Sequence, residues 1–219
     1  MPEPRYRLVV FDWDGTLMDS AASIVESIQQ AAREMGLRVP ERERASHVIG
    51  LGLHDSLRHA VPELQREGYE EFAALYRKHF RAREGAMSLF PGVPGLLEEL
   101  SAQGRRLAIA TGKSRRGLDH VLDASGLRKH FTGSRCADET RPKPHPAMLT
   151  ELSGELGVAL EAMLMIGDTT HDLEMAASAG VDAVAVAYGA HPEAPLRALA
   201  PRAVVASVVE LRAWLRNNA

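Results

Sequence analysis

Asp12 and Asp14 stand two residues apart in the segment Phe11-Asp12-Trp13-Asp14-Gly15-Thr16. If a strand runs through them, both side chains leave on one side. Two close carboxylates repel unless one takes a proton or a cation sits between them. Either outcome suits phosphoryl transfer: one carboxylate attacks phosphorus, and the other protonates the leaving alcohol and later deprotonates water. An Asx-rich turn after a strand would use the same residues. Asp168 and Asp172 form a second acid pair, four apart. On the first turn of a helix that spacing faces both the same way. Donors of oxygen only suit a hard cation, and magnesium takes one or two carboxylates beside water and phosphate. Acids that favour a helix N-terminus are the plainer use of such a pair. His171, between them, reads as a solvated helix-surface histidine, because no second His or Cys is suitably spaced for a metal.

Two further clusters belong with these acids. Thr111-Gly112-Lys113-Ser114 follows an apolar run and places free backbone N–H groups at a strand-to-helix turn, a site for an anion. Thr111 adds a hydroxyl and Gly112 a close approach of the backbone; the spacing is not that of a Walker A loop. In Arg141-Pro142-Lys143-Pro144-His145-Pro146, prolines on both sides hold Lys143 to an extended course. A lysine so held can neutralise a phosphorylated aspartate, or be a solvated residue on a rigid loop.

The elements that position these residues read as a parallel sheet. The runs at 8–11, 107–110, 163–166, 181–186 and, more weakly, 203–205 are short and apolar on both faces, as central strands are. Helical patterns lie between them: from Val93 to Gln103, from a Ser114 cap to about Ala124, from Pro146 to about Leu156, and from a Thr170 cap through Ala179, the last three closed by glycines at 126, 157 and 180. This alternation predicts an α/β fold with a doubly wound parallel sheet. The stretch 20–84 breaks the rhythm with helices only, at about 21–35, 41–48, 53–60 and 67–83, and reads as an insertion with hinges at 18–20 and 86–90. The expected organisation is a core of residues 1–19 and 85–219 and a helical cap of residues 20–84.

Taken in order, the four clusters resemble the motifs of the haloacid dehalogenase superfamily, over nearly the whole chain. Asp12 to Thr16 matches its first motif, Thr111 its second, Lys143 its third, and Gly167-Asp168-Thr169-Thr170-His171-Asp172 its fourth. The insertion resembles the family's helical cap of the C1 type. The resemblance is closer to the phosphoglycolate phosphatase-like branch, through Ala110 to Ser114, Lys143 to Pro146, and the cap segment Ile49-Gly50-Leu51-Gly52. It implies that Asp12 is the nucleophile and a magnesium ligand. Asp14 is then the general acid/base, and its backbone carbonyl a further ligand. It implies that Thr111 and the Gly112 amide hold the phosphoryl oxygens, that Lys143 neutralises the phosphoryl group, and that Asp168 is a ligand. Asp172 is a ligand through water or a neighbour of one. Backbone amides at Gly50, Leu51 and Gly52 are candidates to face the core site and set specificity.

The expected function is magnesium-dependent hydrolysis of a small phosphomonoester through an aspartyl phosphate, with 2-phosphoglycolate the first candidate. A sugar-phosphate mutase keeps the same catalytic set and is the nearest alternative. A dehalogenase of the superfamily lacks the acid at Asp14, and a phosphonatase needs a cap lysine where only Lys78 stands. A signalling receiver domain has its acid pair and phosphorylated aspartate in another order. A phosphate-binding module without activity would not need both Asp12 and Asp14. Cap residues Arg44, His47, His54 and Arg58 are of a type to hold a substrate carboxylate, but the balance of charge around them reads as a solvated, salt-bridged face.

The net charge of −3 does not point to nucleic acid or an anionic membrane surface as partner; the expected partner is a small phosphorylated metabolite. Cys136 is the single cysteine, which excludes an internal disulfide, fits a reducing cytoplasm and reads as a small semi-buried residue. Met1 to Arg5 lacks the pattern of a signal peptide, no apolar run approaches a membrane span, and the default location is cytoplasmic. The sequence does not set an oligomeric state.

Overall fold

In the computed structural model, which describes residues 5–219, the core is a six-stranded parallel sheet. Its strands are β1 (Leu8–Phe11), β4 (Arg106–Thr111), β5 (Gly133–Cys136), β6 (Met163–Gly167), β7 (Asp182–Val186) and β8 (Ala203–Val205). Their order is β5-β4-β1-β6-β7-β8. The segment Met1 to Pro4, most of the stretch without a signal-peptide pattern, lies outside the described residues.

Alternation along the central strands sends side chains to two different layers, as a sheet buried on both faces requires. Val9, Phe11, Leu107, Ile109, Leu164, Ile166, Val184 and Val186 enter one apolar cluster. It is closed by α5 (Val93–Ala102), α6 (Arg115–Ser125) and α10 (Val208–Asn218). Leu8, Val10, Ala108, Ala110, Met163, Met165, Ala183 and Ala185 enter the other. There α7 (Ala147–Leu156), α8 (Thr170–Ala179) and α9 (Glu193–Ala198) pack. Large branched residues fill one layer, while alanine and methionine let helices come close on the other.

Four differences from the sequence reading have local causes. Strand β5 was not expected: it is Gly-Ser-Arg-Cys at a sheet edge, and only Cys136 of the four is buried. Cys136 is fully buried rather than semi-buried, and burial pushes its thiol up to about 12. Helix α8 is capped by Thr169, not Thr170: the Thr169 hydroxyl accepts from the Asp172 amide, and the Asp172 carboxylate accepts from the Thr169 amide, a capping box. Helices α9 and α10 lie in a tail where only strands were read; Ser207 caps α10 by accepting from the Glu210 amide.

Between β1 and β4 the chain forms α1 (Ala21–Glu34), α2 (Arg42–His47), α3 (Leu53–Ala60) and α4 (Tyr69–Arg81). These enclose an apolar cluster of their own, with Ile24, Ile28, Val48, Leu57 and Phe72 buried in it. The chain enters and leaves this segment through β2 (Met18–Asp19) and β3 (Ser88–Leu89). They pair antiparallel, Met18 opposite Leu89 and Asp19 opposite Ser88. No helix among the described residues is long and apolar enough to cross a membrane.

The sheet's centre should carry much of the stability. Ile109 is fully buried on β4, and Ile109→Ala is expected to cost ~2–5 kcal/mol, read as a lower midpoint in urea unfolding with little change in slope.

Candidate active site

Strand order reverses at β1: the chain goes out to β4 and β5 on one side and returns to β6 and β7 on the other. At such a switch point the loops beyond the carboxyl ends of the strands part and leave a crevice. The end of β4 and the loops after β1, β4, β5 and β6 carry Thr111, Asp12 and Asp14, Gly112, Lys143, and Asp168, so the sequence clusters meet there.

Strand β1 ends at Phe11, so Asp12 and Asp14 do not share a strand face. The chain turns instead: the Trp13 carbonyl accepts from the amides of Leu17 and Met18, each at 3.0 Å. Gly15 sits in this turn with φ of 80°, and a Cβ there would stand 2.0 Å from Asp168 Oδ2. The two acids consequently face different partners. Asp14 Oδ1 accepts from Ser20 Oγ at 2.7 Å, and its Oδ2 lies 2.9 Å from Lys113 Nζ. Asp12 is fully buried, with Oδ1 2.8 Å from Lys143 Nζ.

Asp168 also departs from the helical expectation. It follows β6 and precedes the cap of α8, so its convergence with Asp172 comes from the loop and not from a shared helix face. Thr16 Oγ1 donates to Asp168 Oδ1 at 2.8 Å, and the Ala190 amide donates to Oδ2 at 2.7 Å. Asp172 spends Oδ2 on the amide and hydroxyl of Thr169, at 3.0 and 2.7 Å. Its Oδ1 lies 2.6 Å from Lys143 Nζ. Asp172 is therefore the second anchor of Lys143.

Asp12, Asp168 and Asp172 each bring a carboxylate oxygen within 4.8 Å of the others. Three carboxylates converge in a buried site where one ammonium, that of Lys143, pairs with two of them, and Asp12 Oδ2 is buried with no hydrogen-bond partner. Burial pushes Asp12 up to about 7, with Lys143 pulling it down and Asp172 and Asp14 adding to the rise. Asp168 is raised by the same burial and by the neighbouring Asp12 and Asp172. Burial works against the Lys143 ammonium, but Asp12 and Asp172 outweigh it and hold its pKa above the ordinary value. Surplus buried negative charge, an orphaned oxygen and a donor set of oxygen only fit a divalent cation.

Thr111 is fully buried at the end of β4, and its Oγ1 accepts from the Lys113 amide at 3.2 Å. Gly112 meets the α2–α3 turn closely: a Cβ on it would stand 2.6 Å from the Gly50 carbonyl oxygen and 2.7 Å from that of Leu51. The Gly50 and Leu51 carbonyls face this loop, and the Leu51 amide, one of the three expected to face the core site, is spent on the Val48 carbonyl at 3.2 Å. Gly50 and Leu51 line the chamber over the carboxylates, whereas Gly52 does not and lies against Pro142.

His171 is buried, contrary to the solvated reading. Its Nε2 donates to the His47 carbonyl at 2.7 Å, and His191 Nε2 donates to the same oxygen at 3.1 Å. His191 Nδ1 accepts from the Thr170 amide at 3.1 Å, so that ring is neutral, as its fall to about 4 through burial and the neighbouring His171 also indicates. The three imidazoles approach closely enough to suggest a metal, but His171 Nε2 and both nitrogens of His191 are committed to the protein. They clasp the end of α2 to the start of α8. Sequence reading missed the clasp because its members lie far apart in the chain. Of the other cap residues weighed from sequence, Arg58 pairs with Asp55 at the surface and His54 packs edge-on against Tyr69. Lys78 pairs with Glu34. Neither these nor Arg44 line the chamber.

A parallel sheet with an acid-rich switch point and helices inserted after its first strand defines the class of fold. The sequence profile of the haloacid dehalogenase-like hydrolases matches residues 9–186, and the chain belongs to that family. It is 37% identical over 191 residues to the tyrosine-protein kinase PtkA of Mycobacterium tuberculosis, with 86% of this chain and 64% of that protein covered. The chain thus spans 64% of the length of the first curated relatives it matches. It is 32% identical to a 5'-nucleotidase of Pseudomonas aeruginosa, over 98% of this chain and 97% of that one. A solved structure of a predicted phosphoglycolate phosphatase from Haemophilus somnus superposes with a TM-score of 0.85 at 27% identity, covering 94% of this chain and 96% of that chain.

The carboxylate geometry makes metal binding pH-dependent in a fixed direction. Because Asp12 and Asp168 are raised in the metal-free fold, they keep protons well above the ordinary carboxylate range, and a cation must displace those protons at low pH. The gain in thermal midpoint on adding a divalent cation, against the same sample with chelator, should be larger at pH 8 than at pH 5. Buried His171 and His191 shift the other way and contribute to both samples, so the increment isolates the carboxylates. An increment that is flat or falls with pH would remove them as ligands.

Proposed function

We propose that this protein is a magnesium-dependent phosphomonoester hydrolase that forms an aspartyl phosphate on Asp12. The observation that carries this reading is Asp12 itself: fully buried, lining the chamber, held through Oδ1 by Lys143, and with Oδ2 free of any partner. The relatives bear the names of a kinase, a nucleotidase and a phosphoglycolate phosphatase, and phosphoryl transfer is the chemistry these names share.

Asp12 and Asp168 would hold the magnesium, with the Asp14 carbonyl as a further ligand and Asp172 acting through Lys143. Bound there, magnesium supplies positive charge to the phosphoryl oxygens and to Asp12. The substrate phosphate lies between Asp12 and the Thr111-Gly112 turn, where the Thr111 hydroxyl donates to a phosphoryl oxygen. Asp12 attacks in line; its oxygen bonds to phosphorus as the ester P–O bond breaks. Asp14 gives its proton to the departing alkoxide, so the product leaves as the alcohol. A water then takes the alcohol's place, loses its proton to Asp14 and attacks the phosphoryl group, which restores Asp12 and releases phosphate. Ser20 and Lys113 fix the direction of the Asp14 carboxylate through both steps.

Residues 20–84 would serve as a cap that moves on the β2–β3 ribbon and excludes bulk water when closed. The partner this reading calls for is a small phosphorylated metabolite in the cytoplasm. 2-Phosphoglycolate is a candidate through the branch resemblance and the name of the solved neighbour.

Asp12→Asn keeps the size of the side chain and removes the nucleophile. It is expected to lower phosphate release from any accepted ester by at least ~1000-fold while far-UV circular dichroism stays unchanged. A folded Asp12→Asn variant with full activity would overturn the mechanism.

A further inference from the structure

The chamber is larger and more apolar than a two-carbon acid phosphate requires. It measures about 520 Å³, within the range of ~300–1,000 Å³ found for sites of drug-sized ligands. Its floor is polar, formed by Asp12, Asp14, Thr111, Gly112 and Lys113. Above that floor the helices following β2 supply Ile24, Ile28, Leu57, Phe72, Tyr76 and Phe80. Tyr76 and Phe80 stack with centroids 5.7 Å apart and 23° between planes, and both line the chamber together with Phe72, so aromatic surface is part of its wall.

Charge is distributed in the same sense. A substrate carboxylate two carbons from the phosphate would fall close to the floor. Lys113, on the floor, is already engaged: its Nζ pairs with Asp14 at 2.9 Å and sits 4.9 Å from the centre of the Phe80 ring. The arginines that line the chamber, Arg77, Arg81 and Arg116, are exposed residues, and they attract an anionic ester from solvent. Tyr76 lines the chamber, and burial with Asp14 nearby keeps its phenol protonated, leaving a donor for a polar atom on a ring.

We propose that the alcohol released by this enzyme carries a ring-sized aromatic or heteroaromatic body, which packs on the Phe72-Tyr76-Phe80 wall while its phosphate reaches Asp12. This rests on the phosphatase reading above and specifies its leaving group. Ring-on-ring packing and desolvation of an apolar face provide the selectivity, whereas a two-carbon acid leaves the wall in contact with water.

The test measures phosphate release by the full chain with Mg²⁺ on ethyl phosphate, 2-phenylethyl phosphate and 2-phosphoglycolate. The first two share an unactivated primary alcohol as leaving group, so their ratio reports the body and not the chemistry. The expected kcat/KM for 2-phenylethyl phosphate exceeds that for ethyl phosphate by at least ~10-fold and exceeds that for 2-phosphoglycolate. Phe80→Ala and Tyr76→Ala, each checked by thermal melting, are expected to shrink that ratio. The wild-type ratio decides the matter if neither variant folds. Equal rates for the two alkyl esters, or 2-phosphoglycolate as the best of the three, would overturn this inference and leave the phosphatase reading standing. Release from none of the three would overturn the phosphatase reading with it.

Discussion

One ammonium group holds the rim of this sheet together. Asp12, Asp168 and Asp172 are buried at the same crevice, and the Lys143 ammonium pairs with two of them, Asp12 and Asp172. Desolvation makes that arrangement costly for each charge, and mutual repulsion makes it costlier. The surrounding structure reads as a set of responses to it. Asp172 is fixed from two sides, by the capping box and by Lys143. Asp168 is held by the Thr16 hydroxyl and the Ala190 amide. What stays unanswered is Asp12 Oδ2, and an unanswered oxygen in a buried site is where a cation and a substrate phosphate have their use.

Much of this was legible along the chain. The central strands announce themselves because both faces are buried, which forces apolar residues at consecutive positions. Gly126, Gly157 and Gly180 mark helix ends because each adopts a positive φ there. Less legible was anything set by partners distant in sequence. Strand β5 has polar residues because an edge strand has little to bury, and pattern reading passes over it. His171 looked solvated because the groups that enclose it, at 47 and 191, arrive by tertiary folding. The chemical types at 168 and 172 pointed to the right crevice, but for a geometric reason that differs: a strand end and a helix cap bring them together.

The work is divided between two kinds of surface. Loops after the sheet supply charge and position, fixed by main-chain register. The inserted helices supply shape, through apolar and aromatic side chains that line the chamber. The two meet sterically where Gly112 approaches Gly50 and where Gly52 lies against Pro142, and by hydrogen bonds at the His47 carbonyl and from the Ser46 hydroxyl to the Ala190 carbonyl. Such a division allows one chemistry to be presented with different alcohol-binding walls.

The short ribbon of Met18–Asp19 and Ser88–Leu89 has a practical side. Paired antiparallel residues stand only about 5 Å apart, so the insertion's entry and exit are neighbours in space. The intervening residues behave topologically as one long loop between adjacent points. A segment from another chain with similarly spaced ends could be spliced at this ribbon with β1 and β4 kept in register, which makes the ribbon a natural junction for building chimaeras.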